Sequence, residues 1–533
     1  MSEIESQVTS PHANVCLLLE GTFPYVRGGV STWVKQMIEG MPHLSFSIIF
    51  LGADRETLGE PSYELPANVV HLESHFLMDE RDVEEDLNWK DRVQSAFKTS
   101  ASKKARYQQF VRNSELHSEL RNTDKPLDSS VAHEFSELTA GSDSITEEDM
   151  KHSRGAWETI REKYKDAPEG LDFNHYFWTV RSMHAPMFTL ADIVKNAPSA
   201  DLYHSVSTGY AGYLGAMLQG ASGKPFIISE HGIYTKEREL DLAQVDWIPE
   251  EPDPFKVGLN DNMSYLRSVW IRFFLSLGRM SYSTANEVFT LYEGNRLRQV
   301  KDGCPEEKLR IIPNGVNVKR FRPVRRDATA AVPPVLALIG RVVPIKDIKN
   351  FIRTMQIVRT QLPEAEGWLF GPEDEDEEYT VECKMLVESL GLSHVVKFKG
   401  FGKPEEIFPA IGLSVLTSVS EGQPLVVLEG FAAGIPAVTT DVGGCRELIE
   451  GITVEDRAMG SAGGVVPIAD PRAFANAAVA LLSDTDTWRK ASDAAIERVE
   501  AYYDEDDMIE RYRLVYEQQM TAYSHEVCKD KAA

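Results

Sequence analysis

Residues 412–436 constrain the fold more than any other stretch. Gly412-Leu-Ser-Val-Leu-Thr417 is short, apolar and β-branched, the pattern of a strand buried on both faces of a parallel sheet. A polar turn with Gly422 follows, and then Pro424 fits the first position of a helix, where its missing N–H costs nothing. The predicted helix passes through Leu425, Leu428, Glu429, Phe431 and Ala432 to Gly434, which suits a left-handed cap; Pro436 prevents continuation.

Glu421 is predicted just before the N-terminus of this helix and Glu429 inside it. If every step between them were helical, they would span roughly 12 Å at about 1.5 Å per residue, which suits opposite ends of a nucleotide sugar. The helix N-terminus between them offers free N–H donors and the positive end of the dipole to a phosphate. The pattern therefore proposes a carboxylate, a diphosphate site and a second carboxylate. Spacing alone favours a partly buried helix with one exposed Glu and one Glu at its N-terminus, where the dipole suits it.

A chain of 533 residues is too long for one core and implies two or three domains. The formal charge of -26 argues against a nucleic-acid binder and against electrostatic docking to anionic lipid, both of which need clustered Lys and Arg. The five cysteines, Cys16, Cys304, Cys383, Cys445 and Cys528, are scattered without a C-x-x-C pair, as expected for reduced thiols in a cytoplasmic chain. The start, Met1-Ser-Glu-Ile-Glu-Ser-Gln, is acidic and unlike a signal peptide, and no apolar run reaches the length of a membrane span.

Asn14-Val-Cys-Leu-Leu-Leu-Glu20 reads as a buried strand and the segment to Gly28-Gly29 as a turn. A helix follows, with Val30, Trp33, Val34, Met37, Ile38 and Met41 on one face. Strand, glycine loop and helix is how α/β folds bring backbone N–H groups to an anion, although Gly-Gly also makes ordinary tight turns. Phe46–Leu51 and Val69–Leu72 are predicted strands; from Glu73 to about Lys165 the chain turns charged, Ser-rich and helical, an insertion. His71 and His75 are expected at a strand-to-loop junction, which argues against a metal pair. The aromatic run Phe173–His184 is expected to pack as core, the alternative being the lining of a sugar site. Pro225-Phe-Ile-Ile-Ser-Glu230-His231 is a strand with a polar tip, the end of an open α/β sheet where ligands bind. A lone His there is more often structural. A long helix from Met263 to about Thr284 and strands at Val288–Leu291 and Leu309–Pro313 precede Asn314-Gly315, which reads as a turn.

Phe321–Pro334, rich in Arg, Ala and Pro, is the predicted linker. Val335–Gly340 then forms a strand, followed by Arg341 and Lys346, which at a strand tip can neutralise a diphosphate but equally fit two solvated cations on a loop. The acidic run Glu373–Glu378 is read as a helix start favoured by the dipole rather than a metal motif.

Glu421 and Glu429, followed by Ala-Ala-Gly-Ile-Pro and Asp441-Val-Gly-Gly-Cys-Arg-Glu447, resemble the Glu-x7-Glu region of retaining glycosyltransferases of family four. The resemblance implies an α/β, GT-B fold: a Rossmann-like acceptor-side domain at 1–322 with a helical insertion at about 73–180, a nucleotide-sugar domain at 323–503, and a crossover helix and tail at 504–533. By the same resemblance His231, Glu421, Arg341 and Lys346 are catalytic, and Gly28, Gly29, Asn314, Gly422, Gln423, Pro424, Leu425 and Glu429 bind substrate. Pro-Asn314-Gly-Val-Asn resembles the segment before the interdomain linker, and Val395–Phe401 the strand ending near the nucleotide base. Within the family the motifs are most similar to those of a cytoplasmic glycosyltransferase of exopolysaccharide synthesis. That likeness implies a UDP-sugar donor, UDP-glucose favoured, a saccharide acceptor, and membrane-embedded synthase subunits as partners, with no cofactor and no metal. The alternatives are a catalytically silent UDP-binding subunit of such a synthase and a GT-B sugar-nucleotide epimerase.

Overall fold

The computed structural model describes residues 12–77, 108–113, 115–116, 127–140, 144–244, 265–327 and 329–530. The acidic N-terminus, much of the expected insertion and the first residues of the helix expected from Met263 lie outside these.

The chain forms two compact units: Met1–Thr290 with Arg296–Arg310 and Leu514–Ala533, and Leu291–Asn295 with Ile311–Arg513. The first contains strands β1 (Ala13–Glu20), β2 (Phe46–Gly52), β3 (Val69–Phe76), β4 (Ala200–Ser205), β5 (Phe226–Glu230), β6 (Glu287–Thr290) and β7 (Leu309–Ile311), in the order β3-β2-β1-β4-β5-β6-β7. β1 runs parallel to both β2 and β4. Its apolar run is buried because helices cover both faces of such a sheet. The helices that matter for the site are α1 (Gly29–Gly40), α2 (Phe173–Asn196), α3 (Tyr210–Ser222), α4 (Tyr234–Gln244) and α5 (Tyr265–Thr284). On α1, Trp33, Val34, Met37 and Ile38 are buried, the stripe that the helical period placed on one face.

The second unit holds β8 (Val335–Ile339), β9 (Glu366–Phe370), β10 (Val396–Gly400), β11 (Leu413–Leu416), β12 (Ala437–Thr440) and β13 (Gly463–Val466), in the order β10-β9-β8-β11-β12-β13. The helices used below are α6 (Ile348–Gln361), α7 (Glu377–Ser389) and α8 (Leu425–Ala432). Leu336, Leu338, Phe351, Ile352, Leu413 and Val415 form the centre of its core. Both sheets therefore have the Rossmann-like strand order. Each reverses direction at one place, between β1 and β4 and between β8 and β11. A last helix, α9 (Glu505–Asp530), belongs to the first unit from Leu514 onward. There Tyr516 is buried and its hydroxyl lies 2.7 Å from His204 Nδ1.

Several expectations change. The expected division at 322–323 differs from that at Ile311, because Val316 N donates to Tyr503 O at 2.9 Å and Val316, Val318 and Phe321 are buried in a core of the second unit. The expected linker is likewise tied down: Arg325 Nε donates to Ala432 O at 2.8 Å, and Arg326 Nη2 to Ile411 O at 2.9 Å. β3 continues past Leu72 to Phe76, paired with β2. His71, Glu73 and His75 are thus alternate residues on one face of a strand, not a strand-to-loop junction. Each imidazole Nε2 lies 3.2 Å from a different Glu73 oxygen. Burial raises the Glu73 pKa, but the two imidazoles outweigh it and hold the carboxyl below its usual range. Among the described residues no three His, Cys, Asp or Glu side chains are disposed to hold a metal ion, and no helix is long and apolar enough to cross a membrane. The aromatic run on α2 is core only in part: Tyr176, Met183 and Met187 are buried, but Trp178 is 60% exposed.

Candidate functional site

Each unit gathers polar side chains at the carboxyl ends of its strands, at the reversal of strand order, which is where open α/β sheets bind ligands.

In the second unit, the β11 strand ends at Leu416 because Thr417 and Ser418 turn their hydroxyls to neighbouring backbone and side chains. Thr417 Oγ1 donates to Lys346 O at 2.8 Å, and Thr440 Oγ1 donates to Ser418 O at 2.6 Å. These bonds tie the loop after β11 to the loop after β8 and to β12. Glu421 follows, and its Oε1 accepts from Lys346 Nζ at 2.6 Å and from Ser418 Oγ at 2.5 Å. An ammonium has three N–H donors, so Lys346 keeps donors for a second anion while holding Glu421. The loop is braced from behind by Gly443. Its φ of +55° suits glycine, and a Cβ there would lie 2.2 Å from Gly422 O and 2.4 Å from Glu421 O. Gly444 N completes the brace by donating to Gly422 O at 2.8 Å.

α8 begins one residue later than expected: Pro424 is its N-cap, in extended conformation, and no side chain caps the helix. The residues from Glu421 to Pro424 are loop, so the assumption of a wholly helical path between the two carboxylates does not hold. Gly434 takes the expected left-handed conformation, with φ of +76°. The uncapped N-terminus of α8, beside a loop that carries Lys346, has the chemistry of a phosphate site. Glu429 points from the same helix into a half-buried setting. Burial pushes its carboxyl up to about 7, with the Arg320 guanidinium opposing and Glu405 adding to the rise.

The other expected residues fall into two groups. Asn314 and Gln423 bind each other: Asn314 N donates to Gln423 Oε1 at 2.7 Å, and Asn314 Nδ2 to Gln423 O at 3.1 Å. Gln423 Nε2 also donates to Leu291 O at 3.4 Å. Their side chains therefore hold the loop shape that presents Gly422, Pro424 and Leu425. Arg341 is half-exposed and pairs with Glu375 of the acidic run, not with Glu421. The rest of that run starts α7: Asp376 caps it by accepting from Tyr379 N at 2.9 Å, and Glu377 and Glu378 lie in its first turn.

In the first unit a cavity of about 430 Å³ opens at the ends of β1, β2, β4 and β5. Glu20, Val30, His231, Tyr234, Glu237 and Arg238 are among its walls. His231 is 7% exposed, and the Trp33 indole packs edge-on against its ring at 4.6 Å. Burial pushes the imidazole down to about 4, so it is neutral at physiological pH. The neighbouring Glu230 is structural: Thr208 Oγ1 (2.9 Å), Tyr234 N (3.0 Å), Tyr282 Oη (2.5 Å) and Gln299 Nε2 (2.8 Å) all donate to it. Gly28 is the N-cap of α1, with no side-chain cap, and Gly29 is its first residue. A Cβ on Gly28 would meet nothing within 4 Å, so the protein itself does not require glycine there.

The sequence reading missed Ser418, Thr417, Glu20 and Glu237. Ser418 carried a faint signal, a hydroxyl beside a turn that ends in Glu421. Thr417 and Glu20 have none, because their partners Lys346, Ala211 and Tyr234 are distant in the chain.

With the geometry in place, comparison with known proteins adds the lineage. A family model described as "Glycosyl transferases group 1" matches residues 333–484. The D-inositol 3-phosphate glycosyltransferase of Thermobispora bispora is 28% identical over 207 residues, 36% of this chain and 46% of that protein. The chain spans about half the length of the curated relatives it matches. Among solved structures, the sucrose-phosphate synthase of Thermosynechococcus elongatus aligns over 96% of this chain and 100% of its own, with TM-score 0.55 and 17% identity. Anabaena HepE in complex with UDP aligns over 95% and 100%, with TM-score 0.54 and 13% identity. These likenesses show the GT-B fold. A second family model, described as "Domain of unknown function (DUF3492)", matches residues 13–307, and the chain belongs to that family, with a group 1 glycosyl transferase domain following it.

Proposed function

We propose that the protein is a retaining glycosyltransferase that moves a hexose from a UDP-sugar, UDP-glucose favoured, to a growing polysaccharide or other saccharide acceptor. The observation that carries the reading is Lys346 held against Glu421 at 2.6 Å beside the uncapped start of α8. Lys346 and the first amides of α8 receive the diphosphate, Glu421 takes hydroxyls of the transferred sugar, and Glu429 takes the ribose. The bond from the anomeric carbon to the diphosphate oxygen breaks, and its electron pair stays on the diphosphate. Fixed cationic and N–H donors stabilise that charge as it develops, the part a metal ion would otherwise play. The acceptor hydroxyl oxygen bonds to the oxocarbenium-like carbon on the same face, and its proton passes to the departing diphosphate. By the family resemblance, His231 of the first unit is a sugar-binding residue.

The UDP of the HepE complex supports the nucleotide. The choice of glucose, the exopolysaccharide role, a cytoplasmic location and membrane-embedded synthase partners rest on likeness of motifs to PelF, the Pel exopolysaccharide glycosyltransferase. Among these are Glu20-Gly-Thr-Phe-Pro-Tyr-Val-Arg-Gly28-Gly29 and Ser-Glu-His231-Gly-Ile-Tyr234.

The test is incubation of the protein, in EDTA, with a panel of nucleotide sugars, beside a Glu421→Ala variant. Release of UDP from one sugar, lost in the variant, is the expected result. Binding of UDP without turnover of any sugar, even with acceptors and Mg²⁺, would point to a silent subunit, and isomerisation of the sugar on UDP to an epimerase.

A further inference from the structure

We propose that a second cavity, in the helical layer of the first unit, binds a small amphiphilic anion: an apolar body that carries a carboxylate. This site shares no described wall residue with the cavity at the strand ends, and nothing in it depends on the glycosyl-transfer reading.

The cavity holds about 130 Å³, close to the roughly 150 Å³ of an apolar cavity that stays dry and binds benzene. Three helices each turn one apolar stripe towards it, in pairs four residues apart: Phe273 and Leu277 on α5, Met183 and Met187 on α2, and Ala156 and Ile160 on the helix Arg154–Tyr164. Space remains there because the buried side chains fall into two clusters. Phe110, Ile145 and Ala156 form a small one, whereas Ile160, Met183, Met187, Phe273 and Leu277 belong to the main core of the unit. Gly155 holds the Phe110 ring against its helix, since a Cβ there would meet that ring at 2.7 Å. The unbranched, polarizable methionines let the wall adapt to a guest.

The charge at this cavity runs against that of the chain. The protein has 82 Asp and Glu against 56 Lys and Arg, yet the described wall residues include no Asp or Glu and two cations, Lys163 and Arg272. Lys163 is half-buried in the last turn of the helix Arg154–Tyr164. Arg272 is exposed on α5, its guanidinium 5.7 Å from the Tyr265 ring centre. Thr159, one turn before Lys163, and Ser276, one turn after Arg272, add hydroxyls to the same wall. His184 Nδ1 lies 2.7 Å from Val180 O, a bond within its own helix. An apolar body fills the dry space, and a carboxylate forms charge-assisted hydrogen bonds with the cations. A ligand with a cationic head would instead meet like charges.

The test measures binding of octanoate and of octylammonium to the full chain by ligand-observed NMR at about pH 7, for the wild type, Thr159→Phe, Ser276→Phe and Arg272→Glu, with melting temperatures taken in parallel. The wild type is expected to bind octanoate at least about tenfold more tightly than octylammonium. Thr159→Phe and Ser276→Phe put a ring into the space from half-buried wall positions and weaken octanoate about tenfold or more. Arg272→Glu keeps the space and narrows the preference for octanoate about tenfold. No binding of octanoate by the wild type, equal or tighter binding of octylammonium, or undiminished octanoate affinity in both folded Phe variants overturns the inference. Where neither Phe variant folds, Arg272→Glu decides it, and an unchanged preference in that variant overturns the inference.

Discussion

Lys346 and Glu421 meet at 2.6 Å although they lie 75 residues apart, one after β8 and one after β11. The two strands are neighbours in the sheet, at the point where its strand order reverses, so the fold brings the loops after them together. A cation and a carboxylate from two different loops are thereby held at one place.

That arrangement predicts separable effects. Glu421→Ala leaves UDP bound with near wild-type affinity, because Lys346 and the α8 amides remain, while turnover of the nucleotide sugar falls by a factor of about a hundred or more, on the order of 3 kcal/mol of transition-state stabilisation. Steady-state kinetics beside calorimetry check it.

Gly443→Ala is expected to damage the same loop from outside. The added carbon meets two carbonyl oxygens, and the φ of +55° is strained for alanine. The expected outcome is a lower melting temperature together with weaker UDP binding, measured by scanning fluorimetry and calorimetry. Alanine at Gly28, where nothing lies within 4 Å, is expected to leave the melting temperature unchanged.

Gln423→Ala removes the side chain that accepts from Asn314 N and donates to Leu291 O. A buried amide N–H left without its partner costs about 1–3 kcal/mol, so denaturant unfolding should show a loss of that order. If Gln423 acted only on substrate, stability would not move.

Glu429 gives a pH signature. Its folded-state carboxyl titrates near 7, above the ordinary 4.5, so between those values the folded protein holds a proton that the unfolded chain has lost. Stability from this group therefore falls as pH rises from about 4.5 to 7 and is level above, a change on the order of 1–3 kcal/mol. Glu429→Gln should be more stable than the wild type at pH 8 and nearly equal at pH 4.5, by thermal unfolding at both.

How much of this was legible in the sequence followed from the range of the interactions. The buried strands, the β11–turn–α8 unit and the left-handed Gly434 depend on residues close in the chain, and they read correctly. The start of α8 at Leu425 was placed one residue early because Pro424 suits either side of a helix boundary. β3 was cut short at Glu73 because an edge strand tolerates the polar His71, Glu73 and His75 on one face. Trp178 was read as core because aromatic content does not say which face of α2 is turned outward. The partner of Arg341, Glu375, comes from the next strand–helix connection and could not be read from the chain. The Asn314–Gln423 pair spans 109 positions, and only the folded chain shows that each holds the other.

The most direct test of the central claim is calorimetric titration of UDP into the wild type and Lys346→Met, with melting temperatures taken in parallel. The account predicts that the wild type binds UDP in EDTA and that the variant, still folded, binds it at least about tenfold more weakly, the loss of one charge-assisted hydrogen bond of about 1.5–3 kcal/mol. Equal affinity in the two proteins, or no UDP binding by the wild type, would contradict it.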